Sequence, residues 1–542
     1  MSRSVTRRAV LASAGATAGV TLVGGVLQRS DAATGTTPIV GTRDGRVRGK
    51  TIGAVSAFKG IPYAAASGNG RFAPPGPVEP WTGVRDALEC GAPCPQVNRD
   101  FPAWVDPKTP SEDCLYLNVW TPASTVLRSP LPVMVWLHGG GFSTGSGGLP
   151  IYDGSNLAAH GNVVVVTVNH RLNVFRYLHV GLLGEPFADA INLGQRDLIA
   201  ALQWVRENIQ AFGGDRGNVT IFGESGGGAK VGTLCAMPQA RGLFHKAIVE
   251  SGSSLDVNIP EHAEEVAEAV LKELSIPRAK LERLASVPTA HLEAAGDAVE
   301  RRFRGLFAFQ PVVAAPSLPQ QPWDPQAPAQ SDDVPMLIGT NADETAAFLP
   351  DMWHAPADDA ELTRRLVDST FGERLDSGQA ARLIETYRAM DSGLDRLALL
   401  VQISTDRWMW RNAIVQSERK AARGRARVFM CEFAWKTPCF GRAWALHGIE
   451  IPFVFDNLYY GSAWDGKDST ASRAAADRNG RRFAIARSTV AAWSAFAHRG
   501  DPTNRSMPAW PAYEVTRRAT MVIDATAHVV DDPRAAARRL MS

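Results

Sequence analysis

A serine in the pentapeptide GESGG, at residues 223–227, constrains the fold of this chain more than any other feature. The pentapeptide follows the largely apolar run 218–222 and precedes a helical stretch at 229–235. Where a strand turns sharply into a helix, only small residues fit on either side of the turn, and the residue between them takes a strained backbone conformation. This context predicts a nucleophile elbow that holds the Ser225 hydroxyl at the tip of a strand. Such a nucleophile also requires a base, an orienting acid and an oxyanion hole.

The composition and the alternation of elements predict one large α/β domain. The chain has 542 residues, of which 45% are hydrophobic and 21% are charged, as is typical of a globular protein with a large core. Strand-like runs alternate with helical stretches and no internal repeat is visible, which favours a single domain with insertions over residues 37–540. The net charge is +2 and no basic patch stands out, which argues against nucleic acid as a partner.

Buried strands and helical insertions can be located from the hydrophobic pattern. The runs 131–137 and 162–168 are continuously apolar, which predicts strands covered on both faces, as in a parallel sheet. Apolar residues at helical spacing predict a helix over 192–212, ended by two glycines. Further short strands are expected at 246–250, 336–339 and 427–433, and a hairpin around 44–45. The long, charged helical stretches 260–304 and 358–423 are expected to lie over the C-terminal edge of the sheet and to shape a substrate gorge.

The first 32 residues have the composition of an export signal. Arg7 and Arg8 precede an uncharged, Ala/Gly-rich stretch at 9–28, and the residues at 30–33 offer a cleavage site. Glycines make this stretch weakly apolar for a permanent span, so we predict a cleaved twin-arginine signal and no stable membrane anchor. A Sec signal is the alternative. The mature protein is expected to be secreted or periplasmic.

A glycine triplet follows the first buried strand, in the sequence HGGGF at residues 138–142. Without side chains, the backbone N–H groups of such a triplet can approach a ligand closely. Two of them, together with the N–H of Gly226, could bind the oxyanion of a tetrahedral intermediate. Losing one donor from such a hole typically lowers the rate by about 10²–10³-fold. The triplet therefore predicts the oxyanion hole that a serine nucleophile requires.

His447 is the candidate general base. Most of the eleven histidines lie in polar surroundings, whereas His447 lies on a loop after the predicted strand 427–433, where this class of fold has its base. The acid has to lie between the serine and the histidine in the chain, and Asp343 and Glu344 follow a further predicted strand there. Either carboxylate could hydrogen-bond the imidazole and stabilise its charged form, so position alone leaves both open.

With these motifs assembled, the chain from about residue 37 to its C-terminus resembles the type B carboxylesterase and cholinesterase-like family of serine esterases. The matching stretches are FKGIPYA at 58–64, SEDCLYLNV at 111–119, HGGGF at 138–142, GESGG at 223–227, GTNADE at 339–344 and the segment around His447. The resemblance implies an α/β-hydrolase fold, with a large, mostly parallel central sheet flanked by helices and with helical insertions over an active-site gorge. It assigns the nucleophile to Ser225, the acid to Glu344, the base to His447 and the oxyanion donors to Gly140, Gly141 and Gly226.

The resemblance also implies a disulfide between Cys94 and Cys114. Six cysteines suit an oxidising compartment without making a dense disulfide framework. In the chain-entropy picture, closing the loop of about twenty residues between Cys94 and Cys114 would stabilise the fold by about 3 kcal/mol. The spacing leaves open whether Cys431 and Cys439 pair as well.

Two departures from the family pattern bear on the site. The family usually has alanine after the catalytic serine, where this chain has Gly226, which keeps the N–H group but loosens the turn. Trp104 lies ten residues before Cys114, where cholinesterases keep a tryptophan that stacks on choline. The aromatic residue that assists it is replaced by Ala346 and Ala347, so we interpret Trp104 as gorge wall. The candidate gorge residues are Trp104, Glu224, Phe142 and Phe348.

The expected activity is hydrolysis of a small-molecule carboxylic ester through an acyl-enzyme on Ser225. This chemistry needs no metal and no organic cofactor, and no Cys/His cluster suggests one. The alternatives are an amidase or lactonase with the same triad, a choline-ester hydrolase, and a non-catalytic adhesion protein of this fold. The last is disfavoured because all three triad residues are present. The sequence leaves open the physiological ester, the preferred acyl and alcohol sizes, and the oligomeric state.

Overall fold

A computed structural model gives the positions of most of the chain. It describes residues 36–65, 71–97, 106, 108–123, 129–303, 308–348, 354–439, 441–460 and 470–541. The predicted export signal at 1–32 and the gorge candidate Trp104 lie outside these ranges, so both stay predictions. From Gly35 onward the chain forms one compact unit. None of the helices in the described ranges has the length and the apolar character that a membrane crossing requires.

The strands follow the apolar runs of the sequence. They are β1 (Thr36–Gly41), β2 (Arg46–Ile52), β3 (Val55–Pro62), β4 (Val84–Asp86), β5 (Tyr116–Pro122), β6 (Leu131–Leu137), β7 (Val164–Val168), β8 (Gly214–Glu224), β9 (Lys246–Glu250), β10 (Met336–Asn341), β11 (Val428–Phe433), β12 (Thr437–Cys439), β13 (Arg442–Trp444), β14 (Ala519–Ile523) and β15 (His528–Asp531). The predicted strands at 131–137 and 246–250 coincide with β6 and β9, and the predicted hairpin joins β1 to β2.

Most of these strands belong to one large sheet. Among the described residues it has thirteen strands, in the order β1-β2-β3-β5-β7-β6-β8-β9-β10-β11-β14-β15, with β4 paired to β2 beside this path. From β7 to β14 all neighbours pair in parallel, whereas β5 pairs antiparallel to β7, and β15 antiparallel to β14. The predicted parallel centre of the sheet is thus confirmed. β12 and β13 form a separate hairpin.

The helices include the two predicted insertions. The α-helices are α1 (Ser155–Gly161), α2 (Asn173–Arg176), α3 (Leu193–Asn208), α4 (Gly226–Leu234), α5 (Pro260–Glu273), α6 (Thr289–Arg302), α7 (Asp359–Asp368), α8 (Ser377–Met390), α9 (Arg396–Thr405), α10 (Arg411–Ala422), α11 (Ile451–Val454), α12 (Thr470–Ala476), α13 (Arg481–Arg499) and α14 (Ala535–Leu540). Short 3₁₀ turns lie at Pro150–Tyr152, Val180–Leu183, Ile209–Phe212, Pro238–Ala240, Arg278–Ser286, Ala329–Ser331, Glu344–Ala347 and Leu458–Tyr460. Helices α5 and α6 form the first insertion and α7 to α10 the second.

The central strands are buried on both faces. Along β6, Val133 and Val135 pack into one apolar cluster, while Met134 and Trp136 pack into another, because successive side chains point to opposite faces of the sheet. Helices α3 and α4 contribute to the first cluster, and α1 and α13 to the second. A third cluster lies among α7, α8 and α9. The continuous apolar runs of the sequence therefore reflect strands covered by helices on both sides.

The carboxyl ends of the parallel strands carry the candidate site residues. Strand β6 ends at Leu137, directly before the glycine triplet, and β8 ends directly before Ser225. The two strands pair with Leu137 opposite Gly223, so the triplet and the serine turn lie side by side. Strand β10 ends at Asn341, just before the two candidate acids. In open α/β sheets ligands bind at this edge, where the loops of neighbouring strands meet.

The predicted disulfide between Cys94 and Cys114 is not formed in this structure, in which both residues are buried free thiols. The two side chains are hydrogen-bonded to each other. The backbone N–H of Leu172 donates to Cys94 Sγ at 3.2 Å. The hydrogen bond with Cys94 and burial raise the pKa of Cys114 well above its usual value, which favours the protonated thiol. Cys431 is also a free thiol and is not joined to Cys439.

Candidate active site

Ser225 lies in the turn between β8 and α4, with φ 56° and ψ −126°. A positive φ is uncommon for a residue with a side chain, and such strain clusters at functional sites. The Ser225 N–H donates to the carbonyl of Glu250 at 2.8 Å, which ties the turn to the neighbouring strand. A Cβ on Gly227 would lie 2.0 Å from the carbonyl oxygen of Leu137, so only glycine fits there. The predicted strand–turn–helix context of the serine is confirmed.

Of the two candidate acids, Glu344 is the one that contacts His447. Glu344 Oε2 lies 2.7 Å from His447 Nδ1, and its other oxygen accepts from the N–H of Asn341 at 2.7 Å. Both partners are buried, with 0% and 3% of their surface exposed. Asp343 points elsewhere, because its carboxylate accepts from the N–H of Ala445 at 2.9 Å and pairs with an exposed lysine. Since a carboxylate can only accept, the proton lies on Nδ1 and leaves Nε2 as the basic nitrogen.

The other side of the His447 imidazole faces Glu224 and Phe348. Nε2 lies 3.1 Å from Glu224 Oε1, and the Phe348 ring lies 4.8 Å from the imidazole, centroid to centroid. Burial and the nearby Glu344 raise the pKa of Glu224 well above its usual value, which favours the neutral acid. Of the two carboxyl groups at the imidazole, Glu344 is the one that contacts Nδ1.

Two further carboxyl groups, those of Glu250 and Glu450, are buried around the triad. Burial raises the pKa of Glu250 to about 7, and burial together with Glu224 raises the pKa of Glu450 well above its usual value. Trp493 Nε1 donates to Glu250 at 2.6 Å, and the Asn341 side chain donates to Glu450 at 2.5 Å. In the described part of the chain, no group of three His, Cys, Asp or Glu side chains has an arrangement that could hold a metal ion.

The glycine triplet forms a turn with free backbone donors. Gly140 and Gly141 have φ of 82° and 60°, and among the described residues their N–H groups have no hydrogen-bond acceptor. Gly226 is the first residue of α4, where an N–H group has no partner within the helix. Gly141 and Gly226 line the same cavity as Ser225. Backbone donors thus lie beside the hydroxyl where an oxyanion hole would be needed.

A cavity of about 230 Å³ lies over Ser225. Its lining consists of Gly141, Phe142, Ser225, Gly226, Ala229, residues 251–254, Asp256, Gln310, Phe348, Trp408, Met409 and Asn412. The gorge candidates Phe142 and Phe348 lie in this lining and give it aromatic surface. Glu224, the third described candidate, does not line the cavity, because its side chain is directed to the buried imidazole.

The second insertion lines the cavity, as the sequence analysis expected, but the sequence did not identify which of its residues do so. Between α9 and α10 the helix contains a π-helical turn, Asp406–Trp410, of the kind that often marks functional sites. This turn carries Trp408 and Met409, which line the cavity. The Trp408 ring stacks on Phe371 at 4.9 Å and meets Phe348 edge to face at 5.8 Å. The only sequence signal was the run WMW at 408–410 within a charged helical stretch.

Known proteins are similar to this chain along nearly its whole length. The model of the carboxylesterase family matches residues 36–540. The para-nitrobenzyl esterase of Bacillus subtilis (strain 168) is 38% identical over 510 residues, which cover 92% of this chain and 98% of that protein. The cocaine esterase of Oryctolagus cuniculus is 33% identical over 511 residues, covering 89% and 91%. A solved carboxylesterase from Geobacillus stearothermophilus has a TM-score of 0.79 at 37% identity, covering 93% of this chain and 100% of that one.

These similarities confirm the predicted resemblance and the α/β-hydrolase fold. Because these relatives are named as esterases and carboxylesterases, they favour a carboxylesterase over the alternatives, which are an amidase, a lactonase, a choline-ester hydrolase and a non-catalytic adhesion protein. The geometry fits that chemistry, because Ser225, Gly141 and Gly226 line one cavity, and His447 contacts both Glu344 and the cavity residue Phe348. The chain belongs to the carboxylesterase family and is a serine carboxylesterase.

Proposed function

We propose that Ser225 is the nucleophile of this esterase, that His447 is its general base, and that Glu344 orients His447. The N–H groups of Gly140, Gly141 and Gly226 bind the oxyanion. This assignment gives every group that acyl transfer requires a place in the chain. The glycine turn, Ser225 and Glu344 follow strands of the central sheet, and His447 follows the β12–β13 hairpin.

The reaction has two halves. In the first, His447 Nε2 takes the hydroxyl proton while Ser225 Oγ attacks the ester carbonyl, and the backbone donors stabilise the resulting oxyanion. The imidazolium then gives its proton to the alcohol as the ester C–O bond breaks, which leaves an acyl-enzyme. In the second half, His447 takes a proton from a water that attacks the acyl carbon, and the imidazolium gives this proton to Ser225 Oγ as the bond between Oγ and the acyl carbon breaks and the carboxylic acid leaves. Glu344 stabilises the imidazolium in both halves.

The observation that carries the proposal is the 2.7 Å contact between His447 Nδ1 and Glu344 Oε2. This contact supports the tautomer in which Nε2 is the base. The His447 ring also contacts Phe348, and Phe348 lines the same cavity as Ser225. Asp343, one residue away, makes no such contact and instead holds the loop that carries the histidine.

Labelling with a fluorophosphonate tests the nucleophile. We expect one label per molecule on Ser225, and no label on Ser225→Ala. Ser251 is a matched control, because it is a buried serine in the lining of the same cavity and Ser251→Ala should still be labelled. A label mapped to Ser251, or a folded wild-type protein without label, would contradict the assignment.

The substrate class follows from the size and lining of the cavity. Its 230 Å³ is small beside the roughly 300–1,000 Å³ of typical ligand sites, and its aromatic side chains suit flat apolar groups. We therefore expect small aryl or alkyl esters with short acyl chains, in keeping with the para-nitrobenzyl ester in the name of one relative. A series of para-nitrophenyl esters of increasing acyl length should give the highest kcat/KM at the short end. A steady rise with acyl length would contradict this expectation.

The export of the protein and its disulfide are part of the same proposal. The Arg7–Arg8 pair and the uncharged stretch after it support twin-arginine export, cleavage and a secreted or periplasmic enzyme. The adjacency of Cys94 and Cys114 supports their pairing once the protein enters an oxidising compartment. Replacing both arginines by lysine should retain the precursor in the cell, whereas unchanged export would favour a Sec signal. The mass of the alkylated, exported protein then reports whether the two thiols are joined.

A further inference from the structure

Lys230 is a fully buried lysine on α4, five residues after Ser225 and the only charged residue of that helix. Its Nζ donates to the carbonyl oxygen of Gly141 at 2.8 Å and to that of His138 at 3.0 Å. Hydrogen bonds from a charged donor are about twice as strong as neutral ones. Burying an ammonium group is costly unless it is compensated in this way, so its contacts point to a specific role.

The two carbonyls that Lys230 binds lie at the two ends of the glycine turn. Between them, the Gly139 carbonyl accepts from His138 Nδ1 at 2.9 Å, and the Gly140 carbonyl accepts from the N–H of Thr144 at 3.0 Å. Because each carbonyl shares a rigid peptide plane with the next N–H, these bonds fix the directions of the Gly140 and Gly141 donors. Lys230 holds both ends of this arrangement against α4.

Gly226 contacts the same carbonyl from the same helix. Gly226 and Lys230 are four residues apart, so they lie on one face of α4. A Cβ on Gly226 would lie 2.0 Å from the Gly141 oxygen. Glycine at this position, where the family usually has alanine, lets the turn approach the helix closely enough for Lys230 to bind it. The replacement of the usual alanine by Gly226 is thus linked in the structure to the contact that Lys230 makes with the glycine turn.

The charged surroundings of Lys230 are few. Burial lowers the pKa of Lys230 to about 7, and the nearby Glu224 opposes this shift only in part. His138 and His170 stack on each other at 4.8 Å, and burial lowers both of their pKa values, so they stay neutral. The Phe142 ring faces the ammonium at 5.4 Å. We therefore expect the ammonium form to prevail at pH 6.

We propose that Lys230 is a positioning residue of the oxyanion hole, whose ammonium group clamps the glycine turn to the nucleophile helix. This rests on the proposed function, in which Gly140 and Gly141 stabilise the oxyanion. Such a clamp acts in the transition state, where the oxyanion forms, and contributes little to substrate binding.

The test compares Lys230→Met with Lys420→Met at pH 6. Lys420 is a matched control, because it is also a buried lysine whose Nζ binds two backbone carbonyls, those of Ser331 and Asp332, and it does not line the cavity. For Lys230→Met we expect kcat to fall by about ten- to a hundredfold with KM changed by less than about threefold. The affinity for a trifluoromethyl ketone, which forms the oxyanion, should fall in parallel. Lys420→Met should keep kcat and this affinity.

The proposal is overturned if Lys230→Met keeps the kcat and ketone affinity of the wild type, or if Lys420→Met loses as much. Should Lys230→Met not fold, Lys230→Gln decides by the same criteria, since it keeps one neutral donor and should lose a smaller part of kcat. Failure of the proposed function would look different, because the wild type itself would then not be labelled on Ser225 by a fluorophosphonate.

Discussion

The catalytic half of the site and the cavity wall are built in different ways. The proposed catalytic half, called the catalytic half below, consists of the glycine turn 138–141, Ser225, Gly226, Glu344 and His447. Short hydrogen bonds join these residues to one another and to the strand ends at Glu250 and Asn341. The cavity wall consists of residues 251–254, Asp256, Gln310, Trp408, Met409 and Asn412, from loops and the helical insertion, and much of it is partly exposed. The difference teaches that the chemistry is fixed by the sheet, whereas the choice of substrate can change with the insertion.

The largest effect is expected from Glu344→Gln. The amide keeps the shape of the side chain but no longer stabilises the imidazolium, so kcat should fall by about 10³–10⁴-fold. Asp343→Asn is the matched control one residue away, and it should lose little activity because Asp343 contacts the Ala445 N–H and Lys436. Steady-state kinetics of the two variants distinguish Glu344 from Asp343 as the acid. A larger loss of activity for Asp343→Asn would show that Asp343, and not Glu344, is the acid of the triad, and the catalytic half would have to be redefined.

The buried carboxyl group of Glu250 should make stability depend on pH. Because its pKa is raised to about 7, the folded protein keeps a proton that the unfolded chain releases above about pH 4.5. The free energy of unfolding of the wild type should therefore fall, relative to Glu250→Gln, by up to about 3 kcal/mol between these pH values and level off above them. Denaturant unfolding at pH 5 and pH 8 measures the difference. A difference that does not change with pH would show that Glu250 is ionised in the folded protein.

Gly226→Ala should displace the glycine turn while leaving the triad side chains unchanged. The added Cβ would lie 2.0 Å from the Gly141 oxygen and would push the glycine turn away from α4. We expect kcat to fall by about 10–10²-fold, because one oxyanion donor is displaced. Gly232→Ala is the control on the same helix, where the nearest atom to the new Cβ is a side-chain nitrogen 3.1 Å away. Equal losses for the two variants would mean that helix packing, not the oxyanion hole, is affected.

The catalytic half was largely predictable from the sequence, because most of its groups directly follow a buried strand, whereas His447 lies beyond β11 and the separate β12–β13 hairpin. The runs before 138–141 and before Ser225 marked strand ends, and parallel strands bring such ends together. The choice between Asp343 and Glu344 could not be made from the residues alone, since adjacent side chains diverge by the local turn that only the structure gives.

The cavity wall and Lys230 could not be predicted in this way. A π-helical turn inserts one residue into a helix, and no periodic pattern marks it, so Trp408 could not be assigned to the cavity. Lys230 left one signal, a lone charge in an otherwise uncharged glycine-rich helix. Its meaning depends on which carbonyls lie opposite, and these come from a turn almost a hundred residues earlier. Contacts between distant segments are set by packing and not by local pattern.

The smallest effect is expected in the cavity wall, from Trp408→Ala. Removing the ring enlarges the cavity beside Phe348 but leaves the triad contacts in place, so kcat for the shortest ester should stay close to that of the wild type. The ratio of kcat/KM between a long and a short acyl chain should rise by about tenfold, the scale on which a hydrophobic pocket discriminates a methylene or two. Trp408→Phe, which keeps an aromatic ring, should show a smaller shift. If Trp408→Ala instead lowers kcat equally for all acyl lengths, Trp408 supports the catalytic half through Phe348, whose ring contacts His447. Trp408 would then affect the chemistry as well as the choice of substrate, and the two halves of the site would not be separate at this residue.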